Sequence, residues 1–199
     1  MLISGVGWNK MIGRLVKDKR VLICGVVEDP PDYQKSMLRR IRESGAGEIT
    51  GIDIQACTYP GIQAKRGDVQ NDELGGPYDV IVATKIFNHL SDPKRFIERS
   101  SRALAPNGML IIKTPNSRSP QLLFIKMFGR MAPDYINKAH VCWYDLRSIK
   151  VLVKQGGMVI SKSFYMQSSV TWKQKLFRVL CLICPAFAED ILAVCIKQK

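Results

Sequence analysis

No stretch of this chain is apolar for long enough to cross a bilayer. The best candidate, Leu176 to Ile196, is broken by Arg178, Pro185, Glu189 and Asp190 into pieces too short to span. It reads as a short apolar helix followed by a buried final strand. Its first part also interleaves Trp172, Leu176, Phe177, Leu180, Leu182 and Ile183 with Lys173, Lys175 and Arg178, the composition of an interfacial helix. The six cysteines contain one C-x-x-C pair, Cys181 and Cys184, with no second pair and no nearby histidine to complete a tetrahedral zinc site. Cys24 and Cys195 fall inside predicted core strands, where cysteine behaves as a small hydrophobe. Reduced thiols and no metal are therefore expected, as in a cytoplasmic protein. No internal repeat or low-complexity tract is present, and Met1 to Lys19 lacks the apolar segment of a secretory signal. The absence of G-x-G-x-x-G argues against a Rossmann dehydrogenase. Histidine occurs only twice, at His89 and His140, so a histidine general base would have two candidates.

Acidic residues are scarce as well: 17 stand against 30 Lys and Arg, a formal net charge of +13. Such a surface attracts polyanions, whether RNA, anionic lipid or a phosphorylated substrate. The basic residues are scattered, and no nucleic-acid-binding motif organises them. Lys35, Arg39, Arg40 and Arg42 read as a solvated helix face. Arg118, Lys126, Arg130 and Lys138 lie in a long insert and are candidate phosphate contacts.

What is present points to one α/β domain over residues 1–199, with 46% hydrophobic content and near-neutral mean hydropathy. Residues 1–19 are expected to form an N-terminal helix or arm. The informative stretch runs from Val80 to Asn116. Val80, Ile81, Val82 and Ala83 form a continuous apolar run of β-formers, as expected of a parallel strand covered on both faces. Ser91 or Asp92 can cap a helix that has Pro93 at its first position. Phe96, Ile97, Ser100 and Leu104 follow at near-helical spacing, and Pro106-Asn107-Gly108 ends the segment. Met109 to Lys113 resumes the sheet, and Thr114-Pro115-Asn116 leaves it at the carboxyl edge, where open α/β sheets bind ligands.

The wording of this stretch resembles the fourth strand, helix and fifth strand of the class I S-adenosylmethionine-dependent methyltransferases. His89-Leu90, the turn residues and the Thr-Pro-Asn exit keep the family's spacing. The resemblance extends upstream through Arg20 to Gly25 (first strand), Glu48 to Ile54 (second) and Gly67-Asp68 (third motif). Downstream it takes in Ala139 to Tyr144, Gly156 to Ile160 and a last strand over Asp190 to Lys197. It implies a Rossmann-like, doubly wound, mostly parallel seven-stranded sheet with an antiparallel last strand and helices on both faces. The cofactor implied is S-adenosyl-L-methionine. The insert 117–140 would border the acceptor pocket.

The resemblance also implies roles for individual residues. Asp53, with Ile54 beside it, would accept the ribose hydroxyls; the alternative is a helix N-cap. Asp68, with Val69, would set the adenine edge; the alternative is an ordinary turn. Gly25 and Val26 would offer backbone beneath the methionine end, and Ala83 and Thr84 would line the same crevice. The catalytic candidates are His140 and His89. His89 alternatively anchors its loop, and Trp143 and Tyr144 form either an aromatic wall over the acceptor or a hydrophobic staple.

The chain departs from the family where an acid usually stands at Ile23 and glycines at Val27 and Asp29; among these positions only the glycine at Gly25 is kept. Gly25 to Asp29 and His140 to Trp143 resemble a branch whose first motif reads like "DIGCVGHD". Glu28 and Asp29 either obstruct the cofactor loop or replace the acid. Lys85 and Asn88 stand where the family has two acids, and Lys85 either points away from the sulfonium or meets an anionic acceptor. Three functions follow: a methyltransferase for a small-molecule or glycan-type acceptor, phosphorylated or not; an RNA methyltransferase; and a noncatalytic methyltransferase-like scaffold.

Overall fold

A computed structural model of the chain describes residues 1–26, 31–55, 58, 61–120, 122, 140–167, 179 and 181–198. The loop residues Val27, Glu28 and Asp29, the basic residues Lys126, Arg130 and Lys138, and Trp172 to Arg178 with Leu180 lie outside that set. So does the side chain of Lys35.

Eight strands form one sheet in the order β1-β7-β8-β6-β5-β2-β3-β4. They are β1 (Leu2–Ser4), β2 (Arg20–Cys24), β3 (Glu48–Asp53), β4 (Gln63–Arg66), β5 (Tyr78–Thr84), β6 (Leu104–Pro115), β7 (Met158–Gln167) and β8 (Asp190–Lys197). β8 runs antiparallel to both β6 and β7, and the remaining pairs are parallel. The doubly wound sheet with its antiparallel last strand is thus the expected architecture. Its strand count is eight rather than seven, because Leu2, Ile3 and Ser4 add to the outer edge of β7 opposite Tyr165, Met166 and Gln167. Three residues carry no readable period, so this strand is invisible before its partner is known.

Alternation along the central strands sorts the core into two layers. Leu22, Cys24, Ile81, Ala83, Leu110 and Ile112 face one side, where they meet Phe96 and Ile97 of α3 (Pro93–Ala103) and Ile149 and Val153 of α4 (Leu146–Gln155). Val21, Ile23, Val80, Val82 and Ile111 face the other. There they meet Trp8, Ile12 and Val16 of α1 (Gly5–Val16) and Met37, Leu38 and Ile41 of α2 (Pro31–Glu43). Helices on both faces explain why these strands read as unbroken apolar runs. Arg39, Arg40 and Arg42 are exposed on α2, and Arg39 pairs with Glu43 at 3.5 Å.

Asp92 caps α3, accepting from the Arg95 amide at 2.9 Å, and Pro93 opens the helix. After α3 the chain enters β6 at once. The Pro106-Asn107-Gly108 turn lies within that strand, between the pairs Tyr78–Leu104 and Val80–Met109, with Asn107 at φ 62°. From β2 the chain proceeds outward through β3 and β4, then returns to place β5 on the other side of β2. The reversal leaves a crevice at the carboxyl ends of β2 and β5, where doubly wound folds bind ligands.

Candidate active site

A cleft of about 720 Å³ opens at that crevice, within the size range of small-molecule and cofactor pockets. Its lining comes from the ends of β2, β3, β4 and β5, from the short 3-10 turn Phe87–His89, and from Pro115 and His140.

Gly25 ends β2 with its amide bonded to the Ile52 carbonyl at 2.9 Å and its φ at 76°. A Cβ added here would lie 2.1 Å from Ile86 Cγ2. The left-handed backbone and the neighbouring methyl therefore both require glycine. Val26 turns away from the cleft and is fully buried; its Cγ2 lies where a Cβ on Gly51 would come within 2.6 Å.

Asp53 ends β3 with its side chain on the cleft wall and only 7% of the residue exposed. Its Oδ1 accepts from the Gln55 amide at 2.9 Å. That bond holds the carboxylate in a turn rather than at a helix start. Its backbone carbonyl receives the Gly67 amide at 2.7 Å, which ties the ends of β3 and β4 together. Ile54 is exposed at the rim.

Asp68 organises the turn after β4. One carboxylate oxygen accepts from the Gln70 amide at 2.8 Å and the other from Asn71 Nδ2 at 2.6 Å, while its own amide donates to Asp72 Oδ2. Val69 is buried on the cleft wall. Gln70 then reaches across the cleft end, its Oε1 accepting from the Asp92 amide at 2.7 Å and from Ser91 Oγ at 3.1 Å. The strand-four and strand-five loops are thereby joined.

Ala83 lies in the core with no surface exposed, whereas Thr84 lines the cleft, its hydroxyl donating to Met37 Sδ at 3.1 Å. Lys85 also lines the cleft. Its φ of 61° and its amide bond to the Lys113 carbonyl at 2.9 Å set it at a sharp exit from β5.

The two histidines, 51 positions apart in the sequence, meet at the cleft. Their ring centroids are 4.7 Å apart and nearly perpendicular, and Trp143 packs edge-on to His140 at 4.9 Å. Burial, reinforced by the nearby His89, pushes the His140 imidazole down to about 4, so the ring is neutral at pH 7. Tyr144 lies instead in the core against Phe87, ring centroids 4.9 Å apart, and burial raises its phenol. Asn88, between Phe87 and His89, also lines the cleft, and its carbonyl accepts from the Val141 and Cys142 amides at 2.9 and 3.2 Å.

Of the residues expected at the site, Gly25, Asp53, Ile54, Asp68, Val69, Thr84, His89 and His140 line this one cleft, and Val26 and Ala83 do not. Gln55, Gln70 and Asn88 were not foreseen as lining residues. Gln70 and Asn88 carried a signal, since each stands four residues beyond a strand's carboxyl end. A buried carboxylate at the end of β3, a glycine that only an absent Cβ allows and a cleft of this volume suit a nucleoside-bearing cofactor. The five described cysteines Cys24, Cys142, Cys181, Cys184 and Cys195 are free thiols. Among the described residues no group of His, Cys, Asp and Glu could hold a metal ion, and no helix is long and apolar enough to cross a membrane.

Comparison with known proteins agrees with this geometry. The family described as "Methyltransferase domain" matches residues 11–162, more than half of the chain. A Mycobacterium tuberculosis (strain H37Rv) protein named "probable S-adenosylmethionine-dependent methyltransferase" is 27% identical over 99 residues, 39% of this chain and 36% of that protein. A ubiquinone biosynthesis O-methyltransferase of Caulobacter sp. (strain K31) is 33% identical over 55 residues, 28% of this chain and 22% of that protein. The chain thus spans about a third or less of the length of these relatives. The fold is shared with the crystal structure of an S-adenosylmethionine-dependent methyltransferase from Mesorhizobium loti, at a TM-score of 0.66 and 15% identity over 94% of this chain and 95% of that one. With the family match, the sheet order and the cleft at its switch point in agreement, this chain belongs to the class I S-adenosylmethionine-dependent methyltransferase family.

Proposed function

We propose that the chain binds S-adenosylmethionine in this cleft and transfers its methyl group to a hydroxyl oxygen of a small-molecule acceptor. The observation that carries the reading is the convergence of Gly25, Asp53 and Asp68, from three successive strand ends, on one cleft that His89 and His140 also line. Asp53 holds the ribose hydroxyls, its carboxylate already oriented by the Gln55 amide. The turn built by Asp68, with Val69 beside it, borders the adenine, and the backbone at Gly25 approaches the methionine portion. The cofactor supplies a methyl group already activated by its sulfonium charge. The protein's work is then to align the acceptor and exclude water.

His140 stands at the acceptor end. A ring that is neutral at pH 7 accepts a hydrogen bond from a hydroxyl and orients the oxygen lone pair. Its low basicity favours this orienting role over full proton removal in the resting protein. Oxygen as the acceptor atom is supported by the relative named as an O-methyltransferase. The net charge of +13 favours a second reading, an RNA acceptor, which would show as RNA binding that weakens steeply with salt.

Titration calorimetry with S-adenosylhomocysteine tests the site. Micromolar binding by the wild type and a loss of at least tenfold in Asp53→Ala are expected. Equal affinity in the variant would remove Asp53 from the site, and no binding by the wild type would overturn the enzymatic reading in favour of a noncatalytic scaffold.

A further inference from the structure

Asn88 lines the cleft with a side chain that the described fold leaves unused. The residue is 1% exposed, in the turn Phe87–His89. Among the described residues, neither its side-chain nitrogen nor its side-chain oxygen has a hydrogen-bond partner. Nearly all buried polar groups in folded proteins are paired, so an amide unmet at both ends calls for an explanation. Its near neighbours in the chain, Phe87 and Leu90, and Tyr144, which packs on Phe87, are all buried in the same core layer. A leucine, close to asparagine in shape, would suit that environment without leaving a donor and an acceptor unmet.

The position of Asn88 connects it to the acceptor end of the cleft. Its carbonyl receives two amides from the segment after His140 and so holds that segment on the turn. The Nδ1 of His140 is likewise buried and without a partner among the described residues. Two residues with unpaired, buried polar side-chain atoms therefore line the cleft, their segments held together by the same backbone clamp. Asp53 and Asp68, which line the cleft from β3 and the turn after β4, already bond to their own turns.

We propose that the carboxamide of Asn88, with the ring of His140 beside it, is a subsite for the methyl acceptor and recognises an uncharged group carrying a donor and an acceptor side by side, an α-hydroxycarbonyl or a vicinal diol. A carboxamide presents N–H and C=O next to each other, and only a partner with both functions satisfies both. An ammonium acceptor would leave the Nδ2 hydrogens unmet, and a carboxylate would leave Oδ1 unmet. Discrimination by such a buried pair is large, because the wrong ligand leaves it unpaired again. The assignment rests on the methyltransferase reading above.

The test uses Asn88→Leu and Asn88→Ala in the full chain. An amide kept for a ligand is a burden on the unliganded protein, so Asn88→Leu should melt about 2–4 °C above the wild type. Its affinity for S-adenosylhomocysteine should stay within about twofold of the wild type. Maltol, a neutral α-hydroxycarbonyl, should bind the wild type saturated with S-adenosylhomocysteine and bind both variants at least tenfold more weakly, read by ligand-observed NMR. A lower melting temperature in both variants would assign the amide to the fold and overturn the proposal. A tenfold loss of S-adenosylhomocysteine affinity in a variant that melts higher would give the amide to the cofactor, and absence of maltol binding to the wild type would overturn the ligand class. Failure of the wild type to bind S-adenosylhomocysteine would instead strike at the methyltransferase reading, leaving the melting comparison to judge the amide alone.

Discussion

At position 140 an imidazole is packed between two other rings and loses the water that would stabilise its cation. The consequence is a stability that depends on pH. The folded-state value, about 4, lies below the ordinary value of 6.5, so between these limits the unfolded chain takes up a proton that the folded chain refuses. The contribution is complete above pH 6.5 and is lost as pH falls toward 4, by at most about 3 kcal/mol and less to the extent that water reaches the ring. Urea denaturation at pH 7 and pH 5 should therefore show a larger loss for the wild type than for His140→Gln; equal losses would place the ring in water. Sequence marked His140 as a candidate because it is one of two histidines and stands beside Cys142 and Trp143. It carried no sign of the low pKa, which arises from burial supplied by distant elements and, second, from His89. Asp53 was legible for a different reason: a carboxylate just where an apolar strand stops is a local pattern.

The start of α3 is another feature read from neighbours in the chain. Asp92-Pro93 opens α3 as expected, with Asp92 rather than Ser91 as the cap. At α4 the cap is reciprocal: Asp145 Oδ1 accepts the Ser148 amide at 2.8 Å while Ser148 Oγ accepts the Asp145 amide at 3.2 Å. The Ser148 hydroxyl also donates to Asp145 Oδ1 at 2.5 Å, and together with the Ser148 amide it holds the Asp145 carboxyl below its usual range. Asp145→Ala should cost about 1 kcal/mol, a fall in melting temperature of about 2–4 °C for a chain of this size. Because α4 follows directly on the His140 segment, the same variant should weaken the ring contact at the cleft, read as an upward move of the His140 titration by NMR. An unchanged melting temperature would show that packing of Ile149 and Val153 alone sets the helix start. β1 is the element that local reasoning missed. Its three residues pair only with β7, more than 150 positions away in the chain.

Across the whole molecule the last strand is held by more than its ladder. Lys113 of β6, with a side chain 4% exposed, meets Asp190 of β8 at 3.1 Å. Removing one member of a buried pair strands the other charge, so Asp190→Ala should cost about 2–3 kcal/mol. The double variant Lys113→Met with Asp190→Leu should recover most of that loss in urea denaturation, since apolar replacements of similar volume are tolerated there. Equal losses in the single and double variants would show that the pair's charges are not coupled. Local order along the chain carried the strands that read as apolar runs, the capped start of α3 and the carboxylate at the end of β3. These depend on periodicity and on bonds between residues a few positions apart, which any chain carries in its local order. Long-range packing alone set that β1 joins the sheet, that Val26 and Ala83 turn inward, that His89 meets His140 and that Asn88 has no side-chain partner among the described residues at the cleft. Burial and desolvation belong to whatever packs against a group, and those neighbours come from parts of the chain that no local pattern connects.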